Sequence, residues 1–254
     1  MLTLSSTDKI NKNHLINNYL HVYTTDSKNP VVDKLVVVNH LYLYSVNCSQ
    51  QPFHPSTLSV RKRLIDIVGA IVGLIITFFI AIPVAIVTFI DAPSPIFYSQ
   101  IRCGLNGKTF RIWKFRSMIV DADKLKHLVK NQAKGHIFKS FDDPRITPVG
   151  KLLRRTSLDE FPQFWNVLLG DMSLVGTRPP TPDEVSNYDP HHWDRLRVKP
   201  GITGEWQANG RSSITDFETI VKMDIEYQRK WSVTYDLSLI IKTIGVVLKK
   251  TGAY

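Results

Sequence analysis

One segment dominates the polarity pattern of the chain. Ile67 to Ile90 reads IVGAIVGLIITFFIAIPVAIVTFI, an uncharged run of about 24 residues, long enough as a helix to reach across a bilayer core. A buried core helix is the alternative, although such helices rarely run this far without a polar face. Arg61, Lys62 and Arg63 precede the run, and Arg102, Lys108, Arg111, Lys114 and Arg116 follow it. Positive charge beside a membrane segment favours the cytoplasmic side. A single pass would export one of these basic groups, whereas a helix that enters, breaks and leaves by the same face keeps both inside. Pro83 is the expected break, since its ring clashes with the preceding turn and it donates no N–H. Carbonyls freed there need internal partners, for which Thr77 and Thr88 are candidates. A kinked spanning helix is the other arrangement this pattern allows. The run starts too late and is too long for a secretory signal.

Elsewhere the pattern is weaker and predicts a mainly helical α+β chain. Residues 1–30 are rich in Asn, Ser, Thr and Lys and too weakly apolar to predict a core. Val31 to Ser45 has the β-branched and aromatic density of one or two strands, and Asn47 to Ser59, with Pro52 and Pro55, reads as a linker. Asp91 to Pro95 is a stiff turn. Ile96 to Arg102 and Thr109 to Met118 flank Asn106-Gly107, a hairpin signal. Val120 to Gln132 predicts a charged, solvated helix. Ser213 to Trp231 predicts another, opened by a capping box at Thr215 and Glu218. Near the C-terminus Leu237, Ile240, Ile241, Ile244, Val247 and Leu248 share one helical face, with Ser238, Lys242 and Lys249 opposite. That face suits either a membrane interface or a protein core.

Charge narrows the partners. A formal net charge of +10 over 254 residues points to lipid headgroups, phosphorylated substrates or nucleic acid. The arm TFRIWKFRSM interleaves Arg111, Lys114 and Arg116 with aromatics, but one short arm is weak support for nucleic acid. Two cysteines, Cys48 and Cys103, form neither a disulfide framework nor a metal spacing, which fits a reducing compartment. His191-His192 lacks a second ligand pair at metal spacing and predicts exposed histidines.

The candidate chemistry lies between Asp142 and Thr181, where acids, bases and prolines alternate with apolar anchors. Asp159 and Glu160 sit side by side just after Arg154 and Arg155. A capping role is open to them, with either Ser157 or Asp159 as the cap of a following helix; Pro162 favours Asp159. A helix N-terminus beside arginines also suits phosphate. Carboxylates in such a place could hold Mg²⁺ together with phosphate oxygens, or attack phosphorus directly. Arg178 follows on a turn stiffened by Pro179 and Pro180, and Lys199 to Gly204 and Gly210-Arg211 read as turn clusters.

From about Arg61 to its end the chain closely resembles the bacterial sugar transferases, the monotopic polyprenyl-phosphate phosphoglycosyl transferases. The matching text is Lys114-Phe-Arg-Ser-Met118, Asp143-Pro-Arg-Ile-Thr147, Leu153-Arg-Arg-Thr-Ser-Leu-Asp-Glu-Phe-Pro-Gln163, Trp165-Asn-Val167, Gly170-Asp-Met-Ser-Leu-Val-Gly176, Arg178-Pro179 and Lys199-Pro-Gly-Ile-Thr-Gly204. The resemblance implies three sections: an N-terminal extension over 1–60 that matches no family section, a re-entrant membrane helix over 61–95 broken at Pro83, and a cytoplasmic-face catalytic domain over 96–254 with interfacial amphipathic helices. It implies transfer of a sugar 1-phosphate from a UDP-sugar to undecaprenyl phosphate at the cytoplasmic face of the bacterial inner membrane. Such a step initiates exopolysaccharide, capsule, O-antigen or glycoconjugate assembly ahead of downstream glycosyltransferases, with no nucleic acid partner. Asp159 falls at the nucleophile's position, forming a phosphosugar intermediate. Glu160 falls at that of its partner carboxylate, in Mg²⁺ binding or acceptor activation. Lys114, Arg155 and Arg178 match phosphate-facing positions, with Arg116 and Arg154 as further candidates. Many relatives have proline where this chain has Thr177. The rival reading is a membrane-anchored basic protein that binds nucleic acid or anionic lipid without catalysis, Asp159 being only a cap.

Overall fold

The computed structural model describes residues 53–91, 93–210 and 214–249. The expectations for residues 1–30 and 31–45, and for Cys48 and Arg211, fall outside them. Helix α1 spans Pro55–Leu58, within the segment read as a linker. His54 caps it by accepting from the Ser56 N–H, and its Nε2 lies 3.0 Å from the Gln228 carbonyl, so this stretch is fastened down.

Helix α2 spans Val60–Asp91, 32 residues, or roughly 48 Å at the α-helical rise. Its buried residues are Lys62, Asp66, Ala70, Gly73, Thr77, Val84 and Thr88, a single stripe of polar and small side chains three, four or seven apart. The large apolar side chains are the exposed ones, among them Phe78, Phe79, Ile82, Ile86, Phe89 and Ile90. A core helix would bury its apolar face. Here the polar stripe meets protein and the apolar surface faces outward, as in lipid. The expected break at Pro83 is not an interruption, for the helix runs through it to Asp91. One missing N–H leaves the ladder intact on either side, so proline can bend a helix without ending it. Thr77 does not serve carbonyls freed at Pro83: its hydroxyl donates to the Gly73 carbonyl at 2.6 Å and lies 3.3 Å from that of Phe161. The Thr88 hydroxyl has no partner among the described residues.

Strands β1 (Phe97–Cys103) and β2 (Thr109–Phe115) form the expected antiparallel hairpin, pairing Phe97 with Phe115 and Cys103 with Thr109. Asn106 and Gly107 take left-handed backbone at its tip, with φ of 52° and 77°. The helix expected over Val120 to Gln132 does not form. Asp121 sits at φ 60°, outside helical space, and the segment is turns with one 3₁₀ piece at Lys126–Leu128. Helix α3 (Pro148–Thr156) opens on Thr147, whose hydroxyl accepts from the Gly150 N–H, with Pro148 at its start. It stops at Ser157, which is left-handed at φ 59°.

Helix α4 (Gln163–Leu169) ends at Gly170, φ 91°. Arg63 donates to the Val167 and Leu168 carbonyls at 2.7 and 2.8 Å, tying that end to α2. Strand β3 (Ser173–Val175) runs parallel to β4 (Gly201–Thr203), with α5 (Pro182–Val185) and a 3₁₀ stretch at Pro190–Arg197 between them. Helices α6 (Glu205–Asn209), α7 (Phe217–Lys230) and α8 (Val233–Leu248) complete the described fold. It is mainly helical with two small sheets.

Two sequence readings need correction here. Asp216 caps α7 by accepting from the Thr219 N–H at 2.9 Å, so the box at Thr215 is absent. Glu218 is instead engaged by histidine: Nε2 of His192 lies 2.6 Å away and that of His191 3.2 Å. His192 is buried, not exposed. Its Nδ1 accepts the Asp189 N–H, which leaves Nε2 to donate to Glu218. On α8, Leu237, Ile241, Ile244 and Leu248 are exposed while Asp236 and Leu239 are buried. Much of the anticipated apolar face is therefore not docked on protein.

Candidate active site

The turn carrying Asp159 and Glu160 is shaped by what stands on either side. Left-handed Ser157 ends α3, and the chain makes one 3₁₀ turn at Leu158–Glu160 before Pro162 leads into α4. No side chain caps α4 at Pro162, and Ser157 makes no side-chain cap either. Leu158 and Phe161, on either side of the acids, pack with Ile80, Ala81 and Val84 of α2 and with Phe115 and Leu153. The Thr77 hydroxyl reaches the Phe161 carbonyl. Apolar anchors thus hold the turn against α2 and leave the acids to face the other way.

They line a cavity of about 770 Å³. Its wall carries Lys114, Arg116, Arg154, Asp159, Glu160 and Arg178 of the expected set, brought together from four separate stretches of chain. Arg155 is not among the lining residues; it is exposed on α3. Asp159 is 7% exposed. Lys114 Nζ lies 2.8 Å from Glu160 Oε1. Arg154 donates from Nε to the Ser117 hydroxyl at 2.9 Å. Burial lowers the Arg154 pKa, with the Asp159 carboxylate the foremost charge opposing that shift. Arg116 donates to the Pro95 carbonyl at 2.9 Å and lies over the Tyr98 ring.

Arg178 stands on a well-anchored turn. Thr177 is buried and donates its hydroxyl to the Arg195 carbonyl at 3.0 Å. Arg102 donates to the Pro179 carbonyl, and the Cys103 N–H to that of Pro180. Arg195 is held in turn by Asp224 and by the Tyr188 hydroxyl. Burial pushes the Asp224 carboxyl up to about 6 even against that arginine.

Several lining residues were not among the site residues expected from the sequence. Arg102 was legible only as charge flanking the apolar run; burial, then the charge of Arg178, lowers its pKa to about 10. Asp143 and Arg145 pair on the wall through Nε at 2.8 Å and Nη2 at 2.6 Å. Gln163, Trp206 and Gln207 also line the space, the last two between the turn clusters at Lys199 to Gly204 and Gly210-Arg211.

The donor set can be tested against a metal. Asp159 and Glu160 supply hard oxygen ligands on adjacent residues, and phosphate oxygens would have to complete an octahedral shell. That chemistry fits Mg²⁺ and does not fit a thiolate or imidazole metal. A cavity lined by ten cationic side chains and six carboxylates, Asp159 and Glu160 among them, is suited to a multiply charged phosphate ester.

Comparisons with known proteins identify the family. A family model described as bacterial sugar transferase matches residues 57–250. The chain is 51% identical over 212 residues to a galactosyl transferase, CpsE, of Streptococcus agalactiae, covering 83% of this chain and 47% of the relative. It is 42% identical over 202 residues to the undecaprenyl-phosphate galactose phosphotransferase of Salmonella typhimurium, covering 76% and 41%. It is 39% identical over 202 residues to the exopolysaccharide production protein ExoY of Sinorhizobium fredii, covering 77% and 88%. The chain thus spans less than half the length of the first two relatives.

Proposed function

Because the chain belongs to the bacterial sugar transferase family, we propose that it transfers a sugar 1-phosphate from a UDP-sugar to undecaprenyl phosphate. The observation that carries this reading is the position of Asp159. Its carboxylate lines a cation-rich cavity, while its neighbours Leu158 and Phe161 are packed on the apolar helix α2. A water-soluble donor and a lipid-tailed acceptor can meet only at such a boundary.

In the first step an Asp159 oxygen attacks the sugar-bearing phosphorus of the donor. The bond from that phosphorus to the oxygen bridging the two phosphates breaks, and UMP leaves with the electron pair. The product is an acyl phosphate that carries the sugar 1-phosphate on the protein. In the second step a phosphate oxygen of undecaprenyl phosphate attacks the same phosphorus. Asp159 departs as carboxylate and the lipid diphosphate sugar is formed. Splitting the transfer in two means that the two anionic substrates need not occupy the cavity together.

Lys114, Arg154 and Arg178 offset charge on the transferring group, the largest single contribution expected in such a site. Glu160 is held by Lys114 and stands beside the nucleophile, where it can take part in metal binding or in activating the acceptor. Mg²⁺ would be held by Asp159, Glu160 and phosphate oxygens, and supplies charge neutralisation there. Helix α2 enters and leaves by the cytoplasmic face of the inner membrane, bending at Pro83. The product primes exopolysaccharide or capsule assembly by later glycosyltransferases.

The test uses UDP-sugar labelled in the sugar, with Mg²⁺ and no lipid acceptor. Label retained on the denatured protein, and lost with Asp159→Asn, is the expected result. A protein that charges the lipid carrier normally with asparagine at that position would overturn the reading and leave Asp159 as packing.

A further inference from the structure

Three buried side-chain atoms of cavity-lining residues have no hydrogen-bond partner among the described residues. They are the indole N–H of Trp206, the amide oxygen of Gln207 and the Nε–H of Arg102. Buried polar atoms are ordinarily paired, so three unpaired ones on residues that line one cavity need an explanation. Trp206 is only 8% exposed. Arg102 is fixed by its other nitrogens, which donate to the Pro179 carbonyl at 3.1 Å and to Gln100 Oε1 at 2.7 Å. Trp206 and Gln207 are consecutive residues of α6, and that helix also bears on α7 and α8, so its placement is set by packing.

The chemistry of the three atoms limits what they can bind. Two are donors and one is an acceptor. An ionised phosphate only accepts, so it satisfies Trp206 and Arg102 but never Gln207. An uncharged group that both donates and accepts satisfies all of them. Resting on the donor proposed above, two parts of a UDP-sugar have that character: the sugar hydroxyls and the imide edge of uracil. The phosphates between those parts have Lys114, Arg154 and Arg178 to meet them.

We infer that Trp206, Gln207 and Arg102 form a subsite that reads the uncharged, hydrogen-bonding part of the donor, and so determine which nucleotide sugars are accepted. A site built to hydrogen-bond a substrate rejects an analogue that leaves its buried groups unpaired. An indole N–H and an amide oxygen are therefore selective elements, not walls.

The experiment measures binding of inorganic pyrophosphate, UDP and UDP-glucose to the purified full chain in detergent, as wild type, Trp206→Phe and Gln207→Met. Gln207 is half-buried and methionine is close to it in volume, so this variant keeps the packing of α6. Each variant is expected to weaken UDP-glucose by roughly three- to tenfold, the loss of one neutral hydrogen bond, and to leave pyrophosphate unchanged. A loss confined to UDP-glucose assigns the subsite to the sugar; an equal loss with UDP assigns it to the base. No loss with either, or an equal loss with pyrophosphate, overturns the inference. A wild type that binds none of the three removes the proposed donor and the subsite together, which is a distinct result.

Discussion

Lys114 Nζ and Glu160 Oε1 lie 2.8 Å apart, joining β2 to the turn that follows α3. Both side chains are part-exposed to the cavity, at 25% and 31%. Their attraction alone contributes little to stability. Its consequence is geometric, because it fixes an ammonium beside the carboxylate pair, where the proposed reaction would need phosphate charge stabilised. Lys114→Met is therefore expected to lower kcat/KM for UMP release by about 10²–10³ while leaving the melting temperature near wild type. A loss below tenfold would mean that the lysine only orients Glu160.

Lys62 and Asp236 form a buried pair at 2.6 Å, and Lys62 also donates to the Val175 carbonyl at 2.9 Å. Asp236 accepts from the Tyr227 hydroxyl and the Trp231 indole as well, so α2, β3, α7 and α8 meet around one ion pair. Removing one partner strands a buried charge, which costs about 3–5 kcal/mol. Lys62→Met should sharply lower the melting temperature in detergent. Lys62→Met with Asp236→Leu should recover part of it, because no lone charge is left. An unchanged melt for the single variant would show that the pair is not the joint it looks like.

Much of this was legible in the sequence, and the illegible part has physical causes. The apolar run, the hairpin about Asn106-Gly107 and the acid pair were visible because each rests on local pattern or on a specific motif. The helix expected over Val120 to Gln132 failed because one left-handed residue, Asp121, defeats a composition that otherwise suits a helix. His192 was misjudged because its surroundings come from distant sequence: His136 and Phe217 pack on its ring, and Glu218 accepts from it. Trp206 and Gln207 were passed over because a role in a cavity wall is decided by elements distant in sequence. The apolar run did not show its polar stripe as protein-facing, since Lys62 read simply as flanking charge and Asp66 was given no role.

Gly73 lets α4 approach α2. A Cβ built there would stand 2.3 Å from the Phe164 ring, which a close-packed contact cannot absorb. Gly73→Ala should destabilise the protein by about 1–3 kcal/mol. Because α4 follows directly on the turn that carries Asp159 and Glu160, the proposed reaction predicts that UMP release should fall as well. Combining it with Phe164→Leu should restore part of both. If alanine alone melts and turns over as wild type, the helices have room to part.

The Asp143–Arg145 pair predicts an acid limb. Hydrogen bonds from Arg145 hold the Asp143 carboxyl below its ordinary value of 3.8. A folded-state value lower than the unfolded one means that the unfolded chain binds the proton more readily. The stability this pair contributes is thus complete above about pH 4 and is lost as pH falls through the lowered folded value. Melting temperature should drop more steeply below pH 4 for wild type than for Asp143→Asn. Parallel curves would place the acid sensitivity elsewhere.

The path of α2 through lipid can be argued from its contacts. Near its start, Lys62 and Asp66 bind Asp236, Ser173 and the Leu174 N–H; further along, Val84 packs with Phe115 and Leu153. At its end the Asp91 carboxylate lies 3.4 Å from the Val149 N–H. One folded body therefore flanks the helix along nearly its whole length. A straight crossing would draw the charged surface of that body into the hydrocarbon layer, at several kcal/mol for each stranded polar group. A bend at Pro83 that returns the chain to its face of entry avoids this. Single cysteines at the exposed positions of Arg61 and Lys108, in a protein otherwise free of cysteine, should both be labelled by an impermeant maleimide only after the cytoplasmic side is opened. Labelling of one of them from outside intact cells would establish a full crossing, and the body packed on α2 would then have to part from it in the membrane.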